Sequence, residues 1–202
     1  MKLRAGRKEL QRILRWTHRT LLAGGVAVLG YCGFILGDAW MFQHRASERL
    51  EQRRVEGRAG GAADAGIPPA VGADGLIGRI EIARIGLSAM VVEGTDRATL
   101  RRAVGHISHT AMPGQAGNIG IAGHRDTYFR PLRDVVQADV VTLTTMRGEF
   151  RYRVVSTRIV GPSEISVLRA TAVEVLTLVT CYPFFFVGSA PSRFIVRAER
   201  VL

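Results

Sequence analysis

The sequence contains very little cysteine: only Cys32 and Cys181 among 202 residues. This number excludes a disulfide framework. Cys32 lies in an apolar run that we place in a bilayer, so we expect no disulfide between it and Cys181. Cys181 is then a single free cysteine in the C-terminal region. Such a thiol is either a small buried side chain or a functional group.

The patterns of nucleic-acid binding are also missing. No cluster of Lys and Arg alternates with aromatic residues, and no nucleic-acid-binding motif is present, although the net charge is +11. That charge is divided, because residues 1–19 carry seven Lys or Arg and one acid, whereas residues 76–202 carry 16 Arg and 10 acids. We therefore expect no nucleic-acid partner. An anionic membrane or cell wall nearby accounts for the basic charge more simply.

What the sequence does have is one long apolar run near its N-terminus. Residues 20–37 contain no charge, Asp38 interrupts, and apolar residues then resume. About 20 mostly apolar residues are enough for a helix to cross a membrane. Trp16 and Trp40 lie near the two ends, where indole rings favour the interface. We predict a transmembrane anchor over 20–43 rather than a cleaved signal peptide, because no clear cleavage site follows the run.

Basic residues on the two sides of this run predict its orientation. Seven Lys or Arg precede it and five Arg follow it before residue 59, so the positive-inside rule favours a cytoplasmic N-terminus by a narrow margin. The interpretation is a single-pass protein of the cell membrane with four parts. These are a basic cytoplasmic tail (1–19), the anchor (20–43), a polar stalk with a flexible Gly/Ala/Pro linker (44–75), and an extracytoplasmic domain (76–202).

Alternation of apolar and polar residues with period two dominates the domain. We expect Leu76, Ile80 and Ile82 on one face of a strand. Residues 150–154 alternate Phe, Tyr and Val with arginine, and the Arg147-Gly148 step before them predicts a hairpin turn.

Only one helix is predicted in this domain, over Asp96–Val104, with Thr95 capping its start and Gly105 its end. Many short strands with few helices favour a closed or nearly closed β-barrel.

Three apolar runs of the domain are bordered by a chemically reactive residue. His124 follows IGIAG, Cys181 follows LTLVT, and Arg193 precedes FIV. Side chains at the ends of barrel strands meet at one rim, so these three residues can form a single site. Each also has a structural interpretation when taken alone: a polar loop histidine, a small buried cysteine and a surface arginine at a strand start.

The three residue types suit acyl transfer. A thiol attacks a carbonyl as its thiolate, which a nearby cation favours. His124 can supply that cation or take the proton, and then protonate a leaving amine. Arg193 stays charged and offers several N–H donors to the oxyanion of a tetrahedral intermediate. The hypothesis is a cysteine nucleophile, Cys181, with His124 and Arg193 beside it.

These residues resemble the motifs of the sortase family. Residues 177–181, TLVTC, are similar to the sortase TLxTC nucleophile motif. Gly117-Asn118 followed by residues 122–125, AGHR, resembles the segment that carries the catalytic histidine, and Arg193 falls where sortases have their catalytic arginine. Two further stretches look like the sequence before that histidine, and the Cys-Tyr-Pro-Phe continuation is most similar to class D sortases. The two stretches are 104–106 and 111–117.

The resemblance implies a fold and an activity. The expected fold is mainly β, an eight-stranded sortase-like β-barrel with one or two short helices, preceded by a single N-terminal transmembrane helix. The expected enzyme cleaves an LPxTG-like sorting signal of an exported protein through a thioester on Cys181. An amine from a cell-wall precursor or a pilin lysine then resolves the thioester. By family analogy, Thr180 assists the substrate or the oxyanion.

No cofactor or metal is expected. The loop over residues 160–175 contains Glu164 and Glu174 as its only acids, which is too few for a calcium cluster. His106 and His109 are interpreted as structural.

Other functions remain open at the level of sequence. A cysteine protease would use the same site with water as acceptor, and a non-catalytic surface-binding domain would not need the thiol. An L,D-transpeptidase is a further possibility, but Thr180 stands where that class has a glycine before the cysteine.

Overall fold

The computed structural model describes residues 2–59, 70–186 and 188–201, which form two compact units, Met1–Met41 and Phe42–Leu202. The helices and strands follow one another as α1 (Lys2–Ala59), β1 (Leu76–Ile82), β2 (Leu87–Glu93), α2 (Arg97–Arg102), β3 (Val104–His106), β4 (Gly117–Gly123), β5 (Val140–Thr145), β6 (Gly148–Val160), β7 (Glu174–Tyr182) and β8 (Ser192–Val201). Short 3-10 helices occur at Ala83–Ile85, Arg130–Asp134 and Ile165–Leu168.

The first unit consists of the N-terminal part of α1. The segment Arg12–Glu56 of this helix is long and apolar enough to cross a membrane, with a mean hydropathy of 1.8 in its most apolar window. Most large apolar side chains between Ile13 and Trp40 are exposed, as expected for a surface that lipid would cover.

The second unit is built on a closed barrel of eight strands in the order β1-β2-β3-β4-β7-β8-β6-β5. The strand pairs β2–β3 and β4–β7 are parallel, and the other pairs are antiparallel. This arrangement confirms the expected eight-stranded barrel. The parallel β4–β7 pair is important for the site, because it brings together two segments that are far apart in the sequence.

The barrel interior is filled by the apolar residues of alternating strand positions. Tyr152 and Val154 are buried with Phe150 packed against them, which confirms the alternation predicted for β6. The predicted hairpin is also present, with Met146 and Arg147 between β5 and β6.

The expectation that Leu76, Ile80 and Ile82 share a face is wrong. A shift in register between Leu76 and Gly78 changes the alternation. As a result Ile77 joins Ile80 and Ile82 in the barrel core, whereas Leu76 packs in a separate cluster on the outside.

The predicted helix is shorter than expected, and its cap was assigned to the wrong residue. Asp96, not Thr95, caps α2, because its carboxylate accepts hydrogen bonds from Ala98 N and Thr99 N. The helix stops at Arg102, and Val104 already belongs to β3. Val104 pairs in parallel with Val91 of β2, so it belongs to the sheet and not to the helix.

The C-terminal part of α1 packs on the outside of the barrel. Leu50 is fully buried in a cluster with Ala46, Leu76 and Met90. Gln43 donates from Nε2 to Arg102 O (2.6 Å) and accepts at Oε1 from Met90 N (2.9 Å). The second unit therefore begins before Leu76, the residue at which the sequence composition predicts the start of the domain. Most of the linker predicted over 57–75 lies outside the described residues.

Candidate active site

Strand register places the three predicted site residues in one row. Cys181 in β7 pairs with Arg193 in β8. On the other side of β7, Gly123 is the last paired residue of β4 and lies opposite Thr180. His124 directly follows Gly123 and begins the loop after β4, so its backbone lies at the same end of the sheet as Cys181. Neighbouring strands are about 4.8 Å apart, so the structure brings His124, Cys181 and Arg193 together at one end of three adjacent strands.

Alternation along β7 determines which face of the barrel carries the thiol. Leu176 and Leu178 point into the core, so Thr177, Val179 and Cys181 point outward. Cys181 is free and half-buried. The site thus lies on the outer face of the barrel, where a peptide chain can reach it.

Gly123 allows two side chains to approach the backbone closely just before His124. A Cβ at this position would lie 2.8 Å from the ring of Phe129, closer than real Cβ contacts allow, and 3.0 Å from Val104. Phe129 is fully buried, and its backbone N–H donates to His124 O at 3.1 Å. This close approach holds the backbone of His124 at the end of β4 while its side chain remains exposed.

Arg193 is held at the start of β8 by part of its guanidinium group. Its Nη1 donates to Ser192 O at 3.0 Å and to Ala190 O at 3.3 Å. Among the described residues, Nε and Nη2 make no hydrogen bond. These N–H groups remain available to an oxyanion or a peptide carbonyl near Cys181.

Thr180 lies on the opposite face of β7 from Cys181. Its side chain is buried, and its hydroxyl donates to Gly123 O at 2.8 Å. The structure therefore does not place this hydroxyl with the three outward side chains. It joins β7 to β4 directly beside the catalytic row, which we define as His124, Cys181 and Arg193.

Arg125 is a site residue that reasoning from sequence missed. Its Nη1 donates to Pro183 O (2.9 Å), and its Nη2 donates to Phe186 O (2.8 Å) and Gly188 O (3.2 Å). The residue after His124 thus joins the β4 end to the loop that follows Cys181. The only signal for it in the sequence was its place next to the histidine.

The outer faces of β6, β7 and β8 border a groove, and Val167 of the 3-10 helix Ile165–Leu168 also lines it. We call this 3-10 helix the cover of the groove. Asn118 of β4 holds this cover in place, because its Nδ2 donates to Val167 O (2.9 Å) and Arg169 O (3.2 Å). Thr177 donates to Asn118 Oδ1 at 2.6 Å. Gly120 in the floor leaves room for Leu168, whose Cδ2 would lie 3.0 Å from an added Cβ.

Two cavities border this cover. The smaller one has a volume of about 210 Å³ and lies within the groove. Its lining residues are Ser156, Arg158, Val167, Thr177, Ile195 and Arg197. The larger one is an open cavity of about 500 Å³ between the β3–β4 and β6–β7 loops, and His109 and Glu164 are among its lining residues.

One carboxylate near the groove is held in its charged form. Hydrogen bonds from the Ser166 hydroxyl and backbone N–H lower the pKa of Glu164, and Arg158 and Arg169 lower it further. Glu164 accepts both of these bonds at Oε1. Within the part of the chain that the structure describes, no group of three or more His, Cys, Asp or Glu side chains is arranged to hold a metal ion.

Fold and site together define a class of protein: a closed β-barrel with a cysteine, a histidine and an arginine in one row on its outer face. Comparison with known proteins gives the same class. A family model described as a sortase domain matches residues 80–201. Sortase D of Bacillus subtilis (strain 168) is 33% identical over 195 residues, which cover 90% of this chain and 96% of that protein.

Solved structures agree with this match. A Clostridium perfringens Sortase D5 transpeptidase superimposes with a TM-score of 0.63 at 26% identity, over 82% of this chain and 99% of that chain. Sortase C-1 from Actinomyces oris gives a TM-score of 0.59 at 31% identity, over 64% and 76%. The chain belongs to the sortase family, whose members are cysteine transpeptidases.

Proposed function

We propose that this protein is a membrane-anchored transpeptidase that cleaves an LPxTG-like sorting signal and joins the acyl part to an amine. The observation that carries the proposal is the single row of His124, Cys181 and Arg193, set by the β4–β7 and β7–β8 registers. The apolar part of α1 is the anchor, and the barrel faces the extracytoplasmic side. The first substrate is an exported protein, and the acceptor is an amine of the cell wall or a pilin.

The first half of the reaction forms a thioester. The Cys181 thiolate attacks the threonine carbonyl carbon, and the carbonyl electrons move to oxygen. The Nε and Nη2 groups of Arg193 stabilise this oxyanion. When the intermediate collapses, the C–N bond breaks, and protonated His124 delivers a proton to the departing glycine amine. The acyl part of the signal remains bound to Cys181.

The second half reverses these roles. An acceptor amine attacks the thioester carbon, and neutral His124 takes the proton that the amine loses. Collapse of the second tetrahedral intermediate breaks the C–S bond and returns the thiolate. The products are a new amide and free enzyme. Arg125 and the Thr180 hydroxyl do not touch the substrate, and they act by holding the strand ends that carry His124 and Cys181.

The proposal is tested by intact-protein mass spectrometry of the full chain in detergent with LPxTG-like peptides and a small amine. We expect a peptide fragment on Cys181 that is released as an amine-linked product. Release only as free acid would instead favour the cysteine protease. Cys181→Ala should form no adduct, and an adduct in that variant would place the nucleophile elsewhere.

The non-catalytic binding domain makes a different prediction. It requires the biological effect of the protein to survive Cys181→Ala, whereas the transpeptidase requires that effect to be lost. The structure offers no observation that favours this alternative over the transpeptidase.

A further inference from the structure

Two adjacent phenylalanines of the β7–β8 loop are exposed to solvent. They follow Phe184, which packs against the barrel core and has its ring centroid 5.3 Å from that of Phe194. Phe185 and Phe186, in contrast, are 75% and 46% exposed. Large aromatic rings contribute most to the free energy of folding or binding when they are buried. Two neighbouring rings left in water therefore indicate a surface that another partner covers.

Arginines border the two rings and fix the loop that carries them. The Cζ atom of Arg133 lies 5.5 Å from the ring centroid of Phe185, and that of Arg125 lies 5.7 Å from the ring centroid of Phe186. Arg125 also donates to the backbone carbonyl of Phe186. Arg130 is exposed and shares a face of the 3-10 helix Arg130–Asp134 with Arg133, because such a helix has about three residues per turn. We define the rim patch as Phe185, Phe186, Arg130 and Arg133.

The end of the barrel that carries the catalytic row, which we call the catalytic end, has more arginine than acid. Its segments together contain eight Arg and four acids. Asp139, one of these acids, is buried against Arg84, and Asp134 accepts from Nε of Arg133 at 3.1 Å. The surface around the two rings is therefore positively charged. The segments counted are 83–85, 101–102, 124–139, 161–169 and 192–193.

The part of α1 in the second unit runs along the outside of the barrel between its two ends. Arg53 Nη1 donates to Met146 Sδ (3.8 Å) in the β5–β6 turn, at the end opposite to the catalytic end. Towards the N-terminus of the helix, Gln43 donates to Arg102 O, just before β3 begins. The registers of β3 with β4 and of β4 with β7 put the start of β3 at the catalytic end. The helix therefore approaches the barrel from the catalytic end.

The end of the proposed anchor leads directly to the rim patch. The anchor ends at Gln43, so this residue lies at the membrane surface. The carbonyl that Gln43 reaches, Arg102 O, also accepts from Tyr128 OH at 2.7 Å. Tyr128 belongs to the loop 124–139, the same loop that carries the two arginines of the patch. The membrane surface and the rim patch are therefore at the same end of the barrel.

We propose that the rim patch docks on an anionic membrane, with its two rings among the lipid headgroups and its two arginines on lipid phosphates. This inference rests on the anchor in the proposed function and adds a second attachment, which fixes the orientation of the barrel. An anionic bilayer suits both parts of the patch, because aromatic rings favour the interface and arginine is attracted to anionic lipid. Docking holds the catalytic row close to the lipid surface.

The test measures the surroundings of single positions in the full chain, reconstituted in vesicles of phosphatidylcholine and phosphatidylglycerol. In a chain with Cys32→Ala and Cys181→Ala, Phe185→Cys carries an environment-sensitive fluorophore. Brominated lipids should quench its emission, most strongly when the bromine is near the headgroup, because interfacial side chains insert about 5–10 Å. Val173→Cys is the matched control, since Val173 is 65% exposed beside the start of β7, at the opposite end of the barrel. Its label should show little quenching.

Variants assign the docking to charge as well as to the rings. Arg130→Gln and Arg133→Gln should each lower the ratio of docked to undocked protein about 5-fold, the weight of one arginine near an anionic surface. High salt, or vesicles of phosphatidylcholine alone, should weaken docking in the same direction. Arg151→Gln is the charge control, because Arg151 is an exposed residue of β6 away from the catalytic end. It should leave the ratio unchanged.

A label on Cys32, in a chain with Cys181→Ala alone, reports on the anchor separately. If lipids quench this label but quench the label at position 185 no more than the one at 173, the inference is overturned and the anchor stands. If lipids do not quench the label on Cys32, the anchor and this inference are both overturned. A label at 185 that is shielded in detergent, increasingly so at higher protein concentration, would assign the rim patch to a second copy of the chain instead.

Discussion

Single residues at strand ends carry the proposed chemistry. In Arg193, Nη1 donates to backbone carbonyls, whereas Nε and Nη2 have no hydrogen-bond partner among the described residues. Arg193→Ala should lower the rate of Cys181 acylation about 100- to 1000-fold, the range for loss of an oxyanion donor. The unfolding midpoint should change little, since the side chain is only half-buried.

The conservative variant separates charge from geometry at this residue. Arg193→Lys keeps the positive charge but not the planar set of donors. We expect it to recover only part of the lost rate in single-turnover acylation. Full recovery would mean that charge alone is needed, and an unchanged rate in Arg193→Ala would remove this residue from the mechanism.

Asp139 is a stabilising residue far from this chemistry. It is buried, and both of its oxygens accept hydrogen bonds from the Arg84 guanidinium, with Oδ2 also accepting from Val136 N at 2.9 Å. The hydrogen bond from Arg84 is the main reason that the pKa of Asp139 lies below its ordinary value of 3.8. The charged form is therefore more stable in the folded protein than in the unfolded chain.

Asp139→Asn should lower the free energy of unfolding by about 1–3 kcal/mol at neutral pH. Because the pKa is depressed on folding, this contribution is complete above about pH 4 and is lost as pH falls through the lower folded value. Denaturant unfolding at pH 7 and pH 3 measures it. A difference between wild type and variant that grows towards pH 3 would contradict the assignment.

For single residues, the sequence motifs predicted more than the alternation of apolar and polar residues did. His124, Cys181 and Arg193 were chosen from sequence because each borders an apolar run, and the structure puts them in one row. Their catalytic roles stay predictions. Arg125 was missed because its partners are backbone carbonyls of a distant loop, which leave no pattern in the sequence. The cap of α2 was misassigned because Thr95 and Asp96 are both good N-cap residues.

At the scale of elements, the 3-10 helix over the groove depends on one side chain. Asn118 supplies two hydrogen bonds to backbone carbonyls of this cover and accepts one from Thr177. Its amide lies below the groove and does not reach the catalytic row. We therefore regard it as a positioning residue for peptide binding.

Asn118→Ala should raise KM for a sorting peptide about 10-fold, with a smaller change in kcat, because loss of about two hydrogen bonds loosens the cover. Asn118→Asp keeps the acceptor for Thr177 but loses both donors, and should be intermediate. Steady-state kinetics give the division between KM and kcat. A fall in kcat alone would show that Asn118 acts on the chemical step and not on binding.

Strand faces show what periodicity can and cannot predict. The alternation of β6 was predicted correctly because the strand is regular over residues 150–154. The first strand was predicted on the wrong face because its bulge moves one residue out of phase. No residue of LIGRIEI except Gly78 marks that shift, and glycine is only a weak sign of a bulge.

For the molecule as a whole, the second unit includes a helical segment that composition assigned to a stalk. Leu50 is fully buried against Leu76 and Met90, so residues of α1 after Met41 form a buried cluster on the outside of the barrel. Leu50→Ala should lower the free energy of unfolding by about 2–4 kcal/mol. Thermal unfolding of the full chain in detergent measures this effect.

Val55→Ala is the matched control for this prediction, since Val55 is an exposed apolar residue of the same helix. It should leave the unfolding midpoint nearly unchanged. Equal, small effects of the two substitutions would mean that the segment is a solvated stalk after all.

Barrel closure and strand order were the features of the fold that were hardest to predict from the sequence. Short alternating runs favour a barrel, and the family resemblance supplied the number of strands. The pairing of β4 with β7 follows from neither, because two parallel strands joined by a long connection have no local signal. Packing of α1 on the barrel was also hidden, since the apolar residues involved are too few to give a visible periodicity.

The parallel β4–β7 pair has a consequence for how activity appears during folding. The 56 residues between His124 and Cys181 contain β5 and β6. Contacts of such long sequence separation form late, because the entropy of closing the loop must first be overcome. In a partly folded chain Cys181 is an ordinary thiol with no histidine or arginine beside it. The rate at which a refolding sample gains the ability to form the thioester would therefore report the final closing step of the barrel.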